Sequence, residues 1–431
     1  MAIDHNACDF SSGQFLLGLT SKGLTNQRLA VVTYQLLAGA LNRTLVLPSI
    51  RAGNVPMCRG AKDRDACMAR LPFSALYDVS VLRSRLARPF RACCCASEAL
   101  ELGRYDLGSS FRLTRETARR VPLSWPAAQA YAARRAGRGT AAASAQLLLL
   151  SEDAWVDFGG VDGVDLMVLA VDRALVFAPE IRRVAKLVLT SLRSSGRRLT
   201  WLHFRVESDW KGYGSACPYH DSEAILRKVA GSLEEARSGN GTNANGVVKI
   251  AAAAISASPS GGAAGAAPAT GAAAAAAPAA AALACGSVPP SRGDLVYVAG
   301  GVKHASTLAV LATLFGGGVH SGADHPAAAA FVAERGNATA LHELNLFGAA
   351  IDFMVGLGAS TWIVPSCSTF SSECLLLAHL GRQRPPASAW TYAGDPRGPR
   401  LQPFMCDGHS AHMAPRHLAY HAWPRAQASA T

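Results

Sequence analysis

Apolar and polar residues recur with two different periods at the start of the chain, and together they predict a βαβ unit. The apolar run "QFLLGL" (14–19) predicts a strand, and "TLVLP" (44–48) predicts a second one ended by proline. Between them, apolar residues recur every three or four positions, which predicts a helix with Thr25 as its N-cap. Its apolar stripe consists of Leu29, Val32, Leu36, Leu37 and Leu41. Strand, glycine loop, helix and strand are typical of a doubly wound α/β domain.

The second half of the chain alternates in the same way. Strands are predicted at the start of "LHFRVESDW" (202–210), at 294–301 and at 360–365, and helices at 180–196, 340–359 and 374–382. The hydroxyl-rich stretch "SCSTFSSE" (366–373) before the last helix is interpreted as a loop. Residues 50–150 are rich in Arg and Ala, and they predict only helices and loops.

The length of the chain predicts two domains, and a low-complexity tract interrupts the second. A chain of 431 residues is typical of two domains, and the glycine that ends the helix at 180–196 places the boundary near residue 195. The predicted domains are 1–195 and 196–431. An Ala/Gly/Pro-rich tract at about 238–292 has too few large apolar residues to pack, so it predicts a disordered insertion in the second domain.

The net charge of +12 favours an anionic partner such as a phosphate, a nucleic acid or a membrane surface. The arginines are scattered and no nucleic-acid-binding module is recognisable, so we do not expect a nucleic-acid partner.

No signal peptide and no transmembrane segment is visible. The chain is therefore either soluble and intracellular or lacks an N-terminal anchor of the full gene product.

The 11 cysteines leave the redox compartment open. The run Cys93–Cys94–Cys95 and the pair Cys58/Cys67 are compatible with disulfides in an oxidising compartment, and equally with reduced, partly buried thiols. Sequons give weak support for secretion, with Asn240 as the best acceptor and Asn42 as a poor one because a helix there passes into a strand.

The strand in "LHFRVESDW" carries the first candidate site. Side chains alternate along a strand, so Trp201, His203 and Arg205 share one face, and Leu202, Phe204 and Val206 share the other. An arginine at the carboxyl end of a strand lies where open α/β sheets bind ligands, and a guanidinium binds a diphosphate with two hydrogen bonds. Glu207, Asp209 and Trp210 follow. The alternative is a local ion pair beside a core histidine.

Two further stretches suit phosphate or sugar. Gly23, before the first helix, allows a ligand to approach the backbone, and Asn26 and Gln27 both donate and accept hydrogen bonds. The run 366–372 offers hydroxyl and N–H groups at a helix N-terminus. The alternatives are an ordinary βα turn and simple N-capping. Cys367 is a poor candidate for a phosphatase nucleophile, because Glu373 occupies the position where such a loop needs arginine.

A zinc site is a weaker possibility. Cys406, His409 and His412, with His320 and His325 elsewhere in the chain, have a spacing that zinc accepts, but a paired Cys-x-x-Cys is missing. We therefore predict no metal.

Four stretches resemble the GDP-fucose O-fucosyltransferase family, in particular its plant and algal branch: 23–48, 202–210, 294–301 and 349–382. They occur in family order. The resemblance implies a GT-B architecture, in which two Rossmann-like doubly wound domains face each other across a cleft and the C-terminal one holds most of the sugar nucleotide. It also implies the Golgi or ER lumen, although no signal or anchor is visible and the insertion is foreign to the family.

The same resemblance assigns roles to individual residues. Gly23 and Asn26 match the stretch that faces the fucose and the acceptor, Arg205 the arginine that binds the β-phosphate, and His203 a nucleotide contact. The remaining matches are Asp209 and Trp210, and the phosphate- and base-holding loop at Ser368, Thr369 and Phe370.

The implied reaction is metal-independent, inverting transfer of fucose from GDP-fucose to a hydroxyl of a protein Ser/Thr or a glycan, without a cofactor. Arg205 would stabilise the charge that develops on the β-phosphate, an effect of about 3–4 kcal/mol. Asn26 is neutral, so Glu207 or Asp209 is the candidate base. Two rivals remain: transfer of another deoxysugar, such as rhamnose, from a UDP-sugar, and a nucleotide-sugar-binding protein without catalysis.

Overall fold

The computed structural model describes residues 14–20, 23–51, 70–86, 90–93, 110–113, 147–150, 164–205, 221–238, 289–300, 305–322, 325–336, 341–365, 368–382, 388–392 and 400–403. The strands are β1 (Phe15–Gly18), β2 (Thr44–Val46), β3 (Ile50–Arg51), β4 (Arg70–Leu71), β5 (Ala92–Cys93), β6 (Ser110–Leu113), β7 (Leu147–Leu150), β8 (Leu199–His203), β9 (Leu295–Ala299), β10 (Val319–Ser321), β11 (Thr361–Val364), β12 (Ser388–Thr391) and β13 (Gln402–Pro403). The helices are α1 (Leu24–Ala40), α2 (Phe73–Leu76), α3 (Val79–Arg85), α4 (Val164–Ala174), α5 (Pro179–Arg193), α6 (Ser222–Ser238), α7 (Ala305–Leu314), α8 (Pro326–Gly336), α9 (Leu341–Gly358) and α10 (Thr369–Arg382).

The first sheet is parallel and has five strands in the order β5-β2-β1-β7-β6. Successive strands run outward from β1 to one edge, and the chain then returns to the other side of β1. The strand order therefore reverses between β1 and β7. Helix α1 follows β1 directly, so its N-terminus lies at the carboxyl end of β1, beside this reversal. The hairpin of β3 and β4 forms a separate small antiparallel sheet.

The second sheet has six strands in the order β10-β9-β8-β11-β12-β13. All neighbours are parallel except β12 and β13. Counted along the chain this order is 3-2-1-4-5-6, the order of the classic doubly wound sheet. The reversal lies between β8 and β11. In open α/β sheets, ligands bind in the crevice at the carboxyl ends of the strands beside such a reversal.

The predicted alternation of β8 is confirmed for the residues that the structure describes. Leu202 and Phe204 pack on one face in a core cluster with α6 and α7, whereas Trp201 belongs to the cluster on the other face, with residues of α9. The Trp201 indole Nε1 donates to the Asp352 carbonyl at 3.0 Å. Both faces of the sheet are therefore covered, as parallel sheets require.

The mixed α/β class and most strands and helices named from the sequence are confirmed. The prediction that 50–150 contains only helices and loops is wrong, because β3 to β7 all lie there. These strands have two to four residues each, too few to show a period of two. Two predictions stay untested: the domain boundary near residue 195, and the disorder of the insertion, of which 239–288 lie outside the described residues.

Helix α1 differs from its predicted form in two ways. Every residue of α1 except Asn26 is buried, so a single apolar stripe does not describe it. The N-cap is Gly23 rather than Thr25, which lies inside the helix. Likewise, α10 begins at Thr369, so the predicted loop ends five residues earlier than expected. Ser368 explains this start, since its carbonyl accepts both the Ser372 N–H and the Ser372 hydroxyl at 3.0 Å.

Cys93 in β5 is disulfide-bonded, and Cys374 in α10 is a buried free thiol. No helix among the described residues combines the length and the apolar character that a membrane crossing needs.

Candidate functional site

The candidate site lies at the reversal point of the second sheet. Strand β8 ends at His203, and its neighbour β11 ends at Val364, four residues before Ser368 and the start of α10. The structure therefore brings together two of the stretches that the sequence singled out, although about 165 residues separate them along the chain. The parallel order of β8 and β11 causes this, because the carboxyl ends of parallel neighbours meet at one edge.

His203 is buried at the end of β8 and bound to the first turn of α10. Its Nδ1 lies 2.7 Å from the Ser371 hydroxyl. The Phe370 ring centroid lies 5.1 Å from the imidazole and 5.8 Å from Trp201, which it stacks on. Burial and the nearby Arg205 guanidinium lower the pKa of His203 to about 3. The imidazole is therefore neutral at physiological pH and cannot serve as a cation for phosphate.

Arg205 is partly buried just beyond β8, where Tyr392 holds the backbone. The Tyr392 hydroxyl donates to the His203 carbonyl at 2.8 Å and accepts the Arg205 N–H at 3.1 Å. One hydroxyl thus satisfies two backbone groups at the point where the strand ladder stops. This fixes the direction in which the chain carries Arg205 away from the sheet.

The first turn of α10 presents the predicted hydroxyl residues in two different ways. Ser368 and Ser371 are buried, whereas Thr369 and Phe370 are partly exposed. The free N–H groups of a helix N-terminus attract anions, and no acidic residue lies in this first turn. Thr369 is therefore the hydroxyl best placed to contact a ligand, and Ser371 orients His203.

At the N-terminus of α1, the three predicted site residues Gly23, Asn26 and Gln27 differ in their exposure. Gly23 is exposed, with φ of −71°, and a side chain at this position would meet only open space. Asn26 is partly exposed, as the single residue of α1 that is not buried. Gln27 is buried, and its amide exchanges two hydrogen bonds with the Arg51 backbone, at 2.7 and 2.8 Å. Gln27 thus holds β3, and Asn26 alone remains available to a ligand.

The N-termini of α1 and α10 meet directly. The Thr25 and Thr369 hydroxyl oxygens lie 3.1 Å apart, although 344 residues separate them in the sequence. Each helix begins at the carboxyl end of a strand beside a reversal point, α1 in the first sheet and α10 in the second. The carboxyl edges of the two sheets are thus adjacent at this contact, and the positive ends of two helix dipoles converge there.

A buried ion cluster, formed by Arg28, Asp172 and Glu373, lies one helical turn below this contact. The Arg28 Nε donates to Asp172 Oδ1 at 2.7 Å and lies 2.6 Å from Glu373 Oε1. The rings of Tyr77 and Phe177 flank the guanidinium at 5.9 and 5.8 Å. Burial lowers the pKa of Arg28, but the two carboxyl groups outweigh it and raise the net value.

The sequence analysis missed the buried ion cluster and one further candidate, Asp352 in α9. The Tyr297 hydroxyl donates to Asp352 Oδ1 at 2.6 Å, and the Gly300 N–H donates to Oδ2 at 3.3 Å. Gly300 directly follows β9, so this carboxyl lies at the ligand-binding edge of the second sheet. Burial raises the pKa of Asp352 to about 6. An aspartate in the otherwise apolar helix "GAAIDFMVG" was the available signal.

Several predicted residues lie outside the described residues: Glu207, Asp209, Trp210, Cys367, Cys406, His409 and His412. Of the remaining zinc candidates, His320 is exposed and His325 is partly exposed. The described part of the chain contains no group of three His, Cys, Asp or Glu side chains arranged to hold a metal.

No protein-family model and no curated protein matches the chain. Among solved structures, POFUT1 in complex with GDP aligns with 88% of this chain and 98% of its own, at 12% identity and a TM-score of 0.45. NodZ, a fucosyltransferase from Bradyrhizobium, aligns with 85% of this chain and 94% of its own, at 14% identity and a TM-score of 0.42. FUT1 of Arabidopsis thaliana, in complex with GDP, aligns with 92% of this chain and 74% of its own, at 10% identity and a TM-score of 0.44. Likeness at this level assigns neither a family nor an activity.

Proposed function

We propose that the chain is a glycosyltransferase that moves fucose from GDP-fucose to a hydroxyl group of a protein Ser/Thr or a glycan, with inversion and without a metal or cofactor. One observation carries the proposal. The N-termini of α1 and α10 meet in front of the carboxyl end of β8, which leads to Arg205. The architecture that fits is the GT-B arrangement, with Rossmann-like domains at 1–195 and 196–431.

The donor side consists of β8 and α10. Arg205 and the N–H groups in the first turn of α10, which begins at Thr369, are suited to the two phosphates of a nucleoside diphosphate. If the Ser371 hydroxyl donates to His203 Nδ1, then Nε2 carries the ring proton and donates to the nucleotide. Phe370 lines the same face, stacked on Trp201.

The acceptor side is the first turn of α1. Asn26 offers a neutral amide that orients a sugar or acceptor hydroxyl, and Gly23 leaves open space beside it. A neutral amide cannot take the proton of the acceptor. Glu207 and Asp209, which follow Arg205 in the sequence, remain the proposed bases, and Trp210 a further donor contact.

The chemistry gives Arg205 its role. Cleavage of the sugar–phosphate bond leaves negative charge on the β-phosphate while the sugar becomes oxocarbenium-like. A fixed guanidinium binds that charge more strongly in the transition state than in the ground state. Two helix N-termini add positive potential at the same point. With this charge supplied by the protein, we expect no divalent metal requirement.

The test is calorimetric titration of GDP and of UDP into the purified chain with EDTA present. Wild type binds GDP in preference to UDP, Arg205→Ala loses most of the affinity, and the matched surface variant Arg227→Ala keeps it. Preference for UDP would replace the donor with a UDP-deoxysugar. Binding of GDP-fucose without GDP release on any acceptor would favour a non-catalytic binding protein, and no binding of either nucleotide would remove all three functions.

We also propose that the protein acts in the Golgi or ER lumen. The disulfide of Cys93 supports an oxidising compartment, since structural disulfides are rare in the cytosol.

A further inference from the structure

The buried ion cluster and the Thr25–Thr369 contact occupy the same faces of the same two helices. Arg28 lies three residues after Thr25 in α1, and Glu373 lies four residues after Thr369 in α10. Residues at these spacings share a helix face. The hydroxyl pair at the mouth of the site thus has a charged pair directly beneath it.

The charges of the cluster do not balance unless a proton is present. Arg28 contributes one positive charge, and Asp172 and Glu373 contribute two carboxyl groups, with side-chain exposures of 2%, 5% and 2%. A buried, uncompensated negative charge is costly. Among the described residues, the titratable groups that act on Glu373 are Arg28 from α1, Asp172 from α4 and Tyr77 between α2 and α3, and none of them adds a second positive charge.

The hydrogen bonds point to the same conclusion. The Arg28 guanidinium donates hydrogen bonds to Asp172 Oδ1 at 2.7 Å, to the Asp172 carbonyl at 2.5 Å and to the Leu175 carbonyl at 2.5 Å. Among the described residues, no hydrogen bond reaches Asp172 Oδ2 or either oxygen of Glu373, although Glu373 Oε1 lies 2.6 Å from the Arg28 Nε that already donates to Asp172 Oδ1. A proton on Glu373 turns one of these orphaned acceptors into a donor to Asp172. Burial and the Asp172 charge also raise the pKa of Glu373 well above its usual value.

We propose that Glu373 is protonated and donates to Asp172, and that the resulting neutral cluster with Arg28 is a clamp that sets the spacing of the α1 and α10 N-termini. The clamp has one member on the helix that carries Asn26 and one on the helix that carries Thr369. Arg28 and Glu373 are therefore positioning residues, which align the acceptor side with the donor side without touching either substrate. The proposed transfer role of the clamp rests on the proposed function, but its proton and its geometry do not.

The proton is tested by difference infrared spectroscopy at neutral pH. The wild-type minus Glu373→Gln spectrum is expected to show the carbonyl band of a protonated carboxylic acid, whereas the control Glu223→Gln, in an exposed Arg–Glu pair of α6, shows only a carboxylate. Loss of a carboxylate band at Glu373 would overturn the proposal. Because glutamine mimics the neutral acid, Glu373→Gln also keeps the wild-type melting temperature more closely than Glu373→Ala; equal losses would contradict the clamp.

The positioning role is tested with Arg28→Lys, and with Arg227→Lys as its surface control. Hydrogen exchange is expected to accelerate at the first turns of both α1 and α10 and to stay unchanged in α6, whatever the chain's activity. Transfer is expected to fall by about 10- to 100-fold, as misplacement of reacting groups predicts. GDP affinity is expected to fall much less than transfer, because Arg205, which is proposed to bind the phosphates, stays in place while Asn26 on α1 loses its alignment with the donor. Glu373→Gln retains the transfer rate.

The outcomes separate this inference from the proposed function. A wild-type chain that binds no GDP would remove the function, yet the infrared band and the paired exchange still decide the clamp. If Arg28→Lys only lowers the melting temperature, with unchanged transfer per folded molecule, the cluster is structural and the positioning role is wrong. A parallel loss of GDP affinity and transfer would also overturn it, since it would place Arg28 in the donor site.

Discussion

Two aspartates at opposite edges of the second sheet have pKa values that are shifted in opposite directions. Asp294, at the amino edge, accepts five hydrogen bonds, from Arg198, Thr200 and Ser291, at 2.7–3.0 Å. Burial favours its neutral form, but these donors outweigh burial and lower its pKa. Asp352, at the carboxyl edge, receives a tyrosine hydroxyl and one longer N–H bond, so burial raises its pKa to about 6.

This difference in hydrogen bonding separates a structural edge of the sheet from the edge that carries the candidate site. At the amino edge the Asp294 carboxylate has several strong donors within the protein, which is the pattern of a structural network. At the carboxyl edge, the Asp352 carboxyl has fewer and weaker donors, and a neutral His203 lies beside Arg205, which is the pattern expected of a candidate ligand site. Substitutions at the two edges should therefore affect different quantities.

The largest effect is expected from Arg205→Ala at the carboxyl edge. If the guanidinium stabilises the leaving diphosphate as proposed, its loss is expected to lower the transfer rate by roughly 100- to 1000-fold. The melting temperature stays near the wild-type value, because Arg205 lies beyond the strand ladder. A radiometric transfer assay beside a thermal melt checks this, and a large loss of stability with little loss of rate would contradict the assignment of the edges.

Asp294→Ala should have the second largest effect, on stability instead of binding. The change leaves the Arg198 guanidinium and the Thr200 hydroxyl without their acceptor, and we expect a loss of about 2–3 kcal/mol in the free energy of unfolding. Urea unfolding measures it. GDP affinity of the folded variant should equal that of wild type; a weakened affinity would mean that the amino edge is coupled to the site.

The pH dependence of stability separates the two aspartates by sign. The folded pKa of Asp352 is raised above its unfolded value, so its contribution to stability is present below about pH 4 and is lost as the pH rises through about 6. The folded pKa of Asp294 is lowered, so its contribution is present at neutral pH and is lost only as the pH falls.

Asp352→Asn should therefore gain stability relative to wild type between pH 4.5 and pH 7. The expected gain is roughly 1–2 kcal/mol after allowance for partial exposure. Urea unfolding of both proteins at the two pH values gives the double difference, in which all other groups cancel. A difference of zero would show that the Asp352 carboxyl is ionised as easily in the folded chain as in the unfolded one.

The smallest effect is expected from Tyr392→Phe, which removes only the hydroxyl that joins the His203 carbonyl to the Arg205 N–H. We expect a loss of about 1 kcal/mol in GDP binding, because one fixing hydrogen bond is lost at each group. The comparison variant is Glu223→Gln, which breaks an exposed ion pair and should change nothing by more than about 0.5 kcal/mol. Titration calorimetry resolves the two, and equal effects would remove Tyr392 from the site.

The sequence predicted those parts of the fold that local patterns encode. Strands β1, β9 and β11 are apolar runs of four or five residues, and α5 and α9 have clear helical periods, so these elements were found. Strands β5 and β10 have two and three residues, too few for a readable period, and they take their form from neighbouring strands. The all-round burial of α1 also depends on tertiary packing, which periodicity does not contain.

The site was predictable one stretch at a time. Arg205, His203 and Thr369 lie at strand ends and helix starts, which local patterns mark. The pairing of Thr25 with Thr369 and of Arg28 with Glu373 was not predictable, because more than 340 residues lie between the partners. Gln27 carried a ligand-like signal but binds the Arg51 backbone, which shows that residue type alone does not separate a binding group from a structural one.

The arginine network at the amino edge has a consequence for protein engineering. Pro289, the first described residue after 239–288, accepts a hydrogen bond at its carbonyl from Arg198 at 2.8 Å. This contact lies at the edge of the second sheet opposite to the candidate site. A label or a fused domain joined shortly before Pro289 would therefore be attached on the side of the sheet away from the crevice.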